Sequence, residues 1–363
     1  MKAIKKITAV AVVLAMVLSL SACIHKKGEI AVTVGDVEFT SAYYMTALIN
    51  AQNEAQQKVS ESEDLSEDEQ NGSGEIDYYS KKIDKKSFTD WVEDRAIEIL
   101  KEIAAYKTLC KENKIELTDE QKDEAKQAAE YYWTSYGYSN YFEPNGVSKE
   151  TYMQYMIDGY YAEEYFQYVY GEEGTKALKA EDVKKETTDN YILVDVIQSS
   201  YNEGATDDQK KAAKAALEAD AKDIKTGKKT FEEVYNEHNG NEEHSHDGDG
   251  DELTPVNPHA TIMGAEDTSY ASEYYDTFKG YKVNEPKVIE STDETGVLLV
   301  IKRNLSKDEY YMDRLDSYAR HALADEDFDK EIDDYTKGLK TDINKYALSQ
   351  FSVKKIKIPE ATA

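Results

Sequence analysis

Two hydrophobic periods alternate along this chain. Near its start Ile30-Ala31-Val32-Thr33-Val34 alternates as a half-buried strand does, Gly35-Asp36 supplies a turn, and Val37-Glu38-Phe39 resumes the strand. Thr40 or Ser41 then caps a helix carrying Tyr43, Tyr44, Ala47 and Leu48. Helical spacing returns from Trp91 to Lys111, where Ile99, Ile103, Tyr106 and Cys110 fall on one face. Thr118-Asp119-Glu120-Gln121 has the form of a capping box and predicts a helix over 120–136, and Ser148 starts another through Tyr152, Met156 and Tyr160. Between the first two helices, residues 58–75 are acidic, serine-rich and poor in large apolar groups, the composition of a flexible insertion.

The densest apolar run comes later. Residues 190–197, with Ile192-Leu193-Val194 and Val196-Ile197, read as a buried strand that polar Gln198-Ser199-Ser200 stops. An alanine-rich helix is predicted over 206–225, ending before Gly227, a residue suited to the left-handed position past a helix end. Gly227-Lys228-Lys229-Thr230-Phe231 leads into a short helix, a long polar loop follows, and after Val283-Asn284-Glu285-Pro286 a closing strand runs from Gly296 to Arg303. Beyond it Tyr311, Leu315, Tyr318 and Ala322, then Phe328, Ile332, Tyr335 and Leu339, predict two helices over 307–324 and 325–346. The last apolar segment, 351–358, reads as a strand stopped by Pro359 and is expected to pair with Ile30 to Val34.

The stretch 190–303 resembles the parvulin domain of the PrsA/SurA group of extracytoplasmic foldases. The shared marks are the Asn190-Tyr191 lead, a helix ending in Gly-x-x-x-Phe, the Val-x-x-Pro turn, and a Gly-led strand ending Ile301-Lys302-Arg303. The opening Val-x-Val-x-Gly strand turning into a helix is a further likeness. The resemblance implies an α+β fold: a helical chaperone-like lobe built from both termini, with a small parvulin-like antiparallel-sheet domain inserted. The boundaries it implies are a leader over 1–22, a tether over 23–29, a helical lobe over 30–185, the parvulin-like domain over 186–304, and a return over 305–363. Family members carry a pair of histidines at the centre of the sheet, where this chain has Val196 and Leu298. The resemblance therefore implies the fold, and a weak or inactive prolyl isomerase.

Composition sets the compartment and removes some partners. Lys2, Lys5 and Lys6 precede an apolar core from Ile7 to Leu18, and Leu20-Ser21-Ala22-Cys23 matches a bacterial lipobox. Cleavage there leaves Cys23 for lipidation and places the mature chain at the outer face of the cytoplasmic membrane of a Gram-positive-type bacterium. Formal charge is −29, and losing the three leader lysines takes it to −32. A surface so acidic repels nucleic acid. After Cys23 the chain retains one cysteine, Cys110, whose position on a helix face reads as an inert core thiol.

Isomerisation of a prolyl bond needs no covalent chemistry, only an apolar cup that holds the ring and favours the twisted amide. Phe231, Met263 and Phe278 are the candidates for that cup. The 29 tyrosines, many in adjacent pairs, suit loose contact with unfolded or nascent secreted polypeptides. His244, His246, Asp247, Asp249 and Asp251 form the most conspicuous polar cluster, but Glu252 and Pro258 stand where a calcium-binding helix-loop-helix needs Gly and Glu. No nucleotide loop or hydrolase motif is found, so no cofactor is expected. The alternative reading is a non-enzymatic envelope lipoprotein that binds metal, adheres or scaffolds, with the His244 to Asp251 loop as its argument. Pairing with a second copy of the chain is left open.

Overall fold

The computed structural model describes residues 28–62, 65–70, 74–240, 255–265 and 272–358. The chain divides into two compact units, one of residues 1–169 and 327–363 and another of residues 170–326.

The first unit opens with the hairpin of β1 (Ile30–Val34) and β2 (Val37–Thr40), turned by Gly35 at φ +57°. Thr40 caps α1 (Ser41–Ser60), its hydroxyl accepting the Tyr43 N–H. α2 (Phe88–Glu112), α3 (Asp119–Thr134) and α4 (Lys149–Tyr170) follow. Leu48, Ile49, Phe88, Leu100, Trp133 and Tyr152 share one core with β1. Thr118 and Gln121 form the predicted capping box at the start of α3. Cys110 is buried in α2, its thiol directed at the Tyr161 carbonyl at 3.5 Å, and burial pushes its pKa up to about 11. Asp158 in α4 is buried and fully bonded: Tyr43 donates to one oxygen at 2.8 Å, Lys107 to both at 2.8 Å, and Gln154 to the other at 2.8 Å.

The second unit is a four-stranded antiparallel sheet between helices. After α5 (Ala180–Asn190) come β3 (Tyr191–Ser200), α6 (Asp207–Lys225), α7 (Phe231–Asn239), β4 (Thr261–Gly264), α8 (Ser272–Lys279), β5 (Lys287–Glu290) and β6 (Gly296–Arg303). The spatial order is β4-β3-β6-β5. β3 does not stop at Ile197. It continues through Gln198-Ser199-Ser200 because β6 offers partners along its whole length, down to Ser200 opposite Gly296. A Cβ on Gly296 would stand 2.8 Å from the Ser199 carbonyl oxygen, so the closing strand begins with the one residue that fits.

α9 runs unbroken over Glu309–Gly338, where two helices were expected, since neither Gly nor Pro interrupts Ala324-Asp325. Its first turns belong to the sheet unit: Tyr310, Tyr311 and Leu315 pack with Leu193, Ala260 and Leu305. Its last turns belong to the helical unit, where Phe328 meets Phe166 edge to face at 5.1 Å. Residues from Asp327 onward group with the N-terminal residues in one compact unit. The strand that closes on β1 is β7 (Thr341–Ile343), antiparallel with Val32 opposite Ile343, and not 351–358. That segment turns at Val353–Lys355 instead, because the three-residue spacing of Val353 and Ile356 puts both on one side of a turn, and both are buried in the first unit's core. Asn145 holds it there, donating to the Lys357 carbonyl at 2.9 Å and accepting the Lys357 N–H at 2.8 Å.

Candidate functional site

Strand alternation gives the sheet two unlike faces. Even-numbered Ile192, Val194 and Val196 of β3 join Leu298 and Val300 of β6 on one face, where Met263 and the α8 residues Tyr274, Tyr275 and Phe278 cover them. Val196 and Leu298 therefore sit in neighbouring strands on a common face, Val196 opposite Val300 and Leu298 opposite Gln198. Both are aliphatic, so neither side chain can donate to or accept from an amide. Val196 is half-buried and Leu298 is 3% exposed.

The three cup candidates do not converge. Met263 and Phe278 lie on the Val196 face, whereas Phe231 packs on the opposite one with Ile197, Leu217 and Leu299. The reason is topological: α7 and α8 cover opposite sides of the sheet, which residue type alone does not reveal. All three side chains are buried, so none lines an open groove. Tyr274, which sequence reasoning passed over, closes the Val196 face. The Thr292 N–H donates to its hydroxyl at 2.8 Å, and the Thr292 hydroxyl donates to Glu273 at 2.5 Å. That leaves Tyr274 as donor in its 3.1 Å contact with Thr292 Oγ1. A cleft of about 560 Å³ opens instead beside the pairing of β3 and β4, lined by Asn190, Tyr191, Gly264 and Ala319.

The opposite face carries a buried acid. Asp195, between Leu193 and Ile197, is 1% exposed and takes the Arg303 guanidinium on Oδ2 at 2.5 Å. Its Oδ1 meets no hydrogen-bond partner among the described residues. Burial pushes the Asp195 carboxyl above the usual carboxylate range, against the pull of Arg303. Arg303 also lies over the Phe231 ring, 5.7 Å from its centre. Asp308 accepts from the backbone and side chain of Asn257 at 3.3 and 3.2 Å, and Tyr311 donates to the Ala260 carbonyl at 2.8 Å. Burial and the nearby Asp308 push the Tyr311 pKa up to about 12. His259 stacks on Tyr235 at 4.1 Å. These contacts fasten the loop after residue 255 to the sheet, and no single signal in the sequence marks them.

Among the described residues no group of His, Cys, Asp and Glu is placed to hold a metal ion. Cys23, and the cluster of His244, His246, Asp247, Asp249 and Asp251, lie outside the described residues. Among the described residues no helix is long and apolar enough to cross a membrane.

The class of protein these elements define is an α+β chain with a helical unit made from both ends and a small antiparallel-sheet unit between them. Solved structures similar to it are foldase proteins PrsA. That of Lactococcus lactis is 14% identical, with 89% of this chain and 99% of that one covered and a TM-score of 0.38. That of Streptococcus pneumoniae is 16% identical over 72% and 88%, with a TM-score of 0.34. That of Bacillus subtilis is 13% identical over 74% and 96%, also at 0.34. No family model and no curated protein matches the chain.

Proposed function

We propose that this chain is a foldase-like chaperone of the cell envelope, anchored through Cys23 to the outer face of the cytoplasmic membrane, that assists the folding of secreted polypeptides. Its sheet unit serves as a structural or peptide-binding module and is weak or inactive as a prolyl isomerase. The observation that carries the reading is the sheet of order β4-β3-β6-β5, with aliphatic Val196 and Leu298 where the family it resembles carries histidines. Without imidazole or hydroxyl at those two places neither side chain can hold a twisted amide, and the Tyr274 hydroxyl on that face is engaged with Thr292.

A protease-coupled assay on an Xaa-Pro peptide tests the enzymatic half. Turnover at background is expected, and turnover far above it would overturn the assignment. The double substitution Val196→His with Leu298→His is expected to raise turnover if the rest of the face is intact. Suppression of aggregation of an unfolded secreted protein tests the chaperone half, and no effect at several-fold molar excess would sink it. Metabolic labelling with a fatty acid, lost in Cys23→Ala, tests the anchor.

A further inference from the structure

From Gln127 to Ser148 the chain holds Tyr131, Tyr132, Tyr136, Tyr138 and Tyr141 with the carboxylates Glu130 and Glu143, flanked by Lys126 and by Lys149, which pairs with Glu130. At the end of α3 these rings form a ladder. Tyr131 meets Tyr136 edge to face at 5.4 Å, Tyr136 meets Tyr132 at 5.4 Å, and Tyr132 stacks on Tyr138 at 5.5 Å. Tyr138 then reaches Tyr152 at 5.8 Å, a core residue only 4% exposed. The outer rungs stand in solvent, with Tyr131 56% and Tyr136 62% exposed. The ladder therefore fixes exposed rings against a buried one, and a partner that lies on them orders few side chains in doing so.

Other rings on this chain are covered by its own cations: Lys210 lies over Tyr201 at 5.2 Å, Lys279 over Tyr275 at 5.2 Å and Arg314 over Tyr310 at 4.6 Å. Among the described residues no cation covers Tyr131, Tyr132, Tyr136 or Tyr138. The faces that Tyr131 and Tyr136 turn away from the ladder are therefore open, on a chain of formal charge −29.

We propose that this tyrosine face docks extended, lysine- or arginine-bearing segments of unfolded polypeptides. The proposal rests on the chaperone reading above and names its client chemistry. Guanidinium and ammonium groups lie on tyrosine faces, the phenol hydroxyls bond the client's peptide groups, and the negative field of the chain draws cationic segments in. A second copy of the chain would bring the same negative charge and is repelled.

The probe is a fluorescein-labelled glycine-serine peptide with interspersed arginines, beside a twin with glutamates in their place, titrated by anisotropy against the full chain at low and high salt. The arginine peptide is expected to bind and to weaken with salt, and the twin to bind about tenfold more weakly or worse. Tyr131→Ser with Tyr136→Ser is expected to lose about fivefold or more in affinity with an unchanged melting temperature, while the matching phenylalanine pair, which keeps the rings, retains most of it. Absence of arginine-peptide binding, equal binding of the twins, or undiminished binding by the serine variant overturns the proposal. So does sedimentation showing a dimer that the serine variant dissolves, which would give the face to a second copy. Aggregation suppression of reduced lysozyme separates the two levels: if the serine variant protects as well as the parent, this surface falls and the chaperone reading stands. If the parent never protects yet binds the arginine peptide through its tyrosines, the chaperone reading falls and the surface stands.

Discussion

Asp158 in the helical unit and Asp195 in the sheet unit are both almost without exposure, at 2% and 1%, yet they are held in opposite ways. Asp158 receives four hydrogen bonds from Tyr43, Lys107 and Gln154. Asp195 has Arg303 on one oxygen, and its other oxygen has no partner among the described residues. The difference comes from the elements. Long side chains from α1, α2 and α4 can converge on one point between helices, whereas a strand residue points straight off the pleat into whatever covers that face. Asp195 projects between Leu193 and Ile197, and among the described residues Arg303 alone bonds it there, so it stays half satisfied.

The largest expected effect is on the satisfied acid. Asp158→Ala removes four hydrogen bonds to a buried carboxylate and is expected to cost the helical unit about 3–5 kcal/mol, read by urea unfolding, even though Lys107 is partly exposed and can reach water. A loss below about 1 kcal/mol would mean that water replaces the carboxylate freely and that the two acids do not differ as argued. Arg303→Met comes next. It strands Asp195 as an unpaired buried acid and is expected to cost about 2–4 kcal/mol at neutral pH, discounted because the guanidinium is partly exposed. That loss should shrink on acidification, since protonating Asp195 removes the stranded charge.

The pH dependence of the parent chain follows from the same carboxyl. Its pKa in the folded state is raised, so the native form binds the proton more tightly than the unfolded chain does. Its contribution to stability is therefore fully present below the ordinary carboxyl pKa and is lost as pH rises through the raised one. Melting curves of the parent and of Asp195→Asn across that acidic window should diverge, the parent gaining relative to the variant as pH falls. A constant difference would show that Arg303 alone sets the charge state of Asp195.

Local signals made much of this fold legible. The capping box at Thr118, the alanine-rich helix after Thr206, the hairpin at Gly35 and the strand from Gly296 each follow from residues close together in the chain. β4 and β5 were not legible, because four-residue strands such as Thr261–Gly264 become strands only when a neighbour such as β3 supplies their hydrogen bonds. The resemblance to the parvulin domain, not any local pattern, brought Val196 and Leu298 together, and Phe231 could not be assigned to the other face without knowing which side α7 covers. Asp158 and Asp195 were invisible in a chain in which 32% of residues are charged, since nothing local distinguishes a buried carboxylate from a solvated one.

The smallest effect uses a motif present in both units. Thr118 with Gln121 and Thr206 with Gln209 make the same reciprocal pair: each threonine N–H donates to the glutamine at 2.8 Å, and each glutamine N–H returns to the threonine hydroxyl, at 3.1 and 3.4 Å. Thr118→Ala and Thr206→Ala are each expected to cost about 1 kcal/mol. The glutamines should differ. Gln121 also donates to Glu164 of α4 at 2.5 Å, tying α3 to a neighbouring helix, whereas Gln209 has no such second partner among the described residues. Gln121→Ala is therefore expected to cost about 1 kcal/mol more than Gln209→Ala, the increment of one charge-assisted hydrogen bond. Equal losses in a urea titration would show that the convergence of side chains between helices, which explains Asp158, does not extend to the exposed ends of the same bundle.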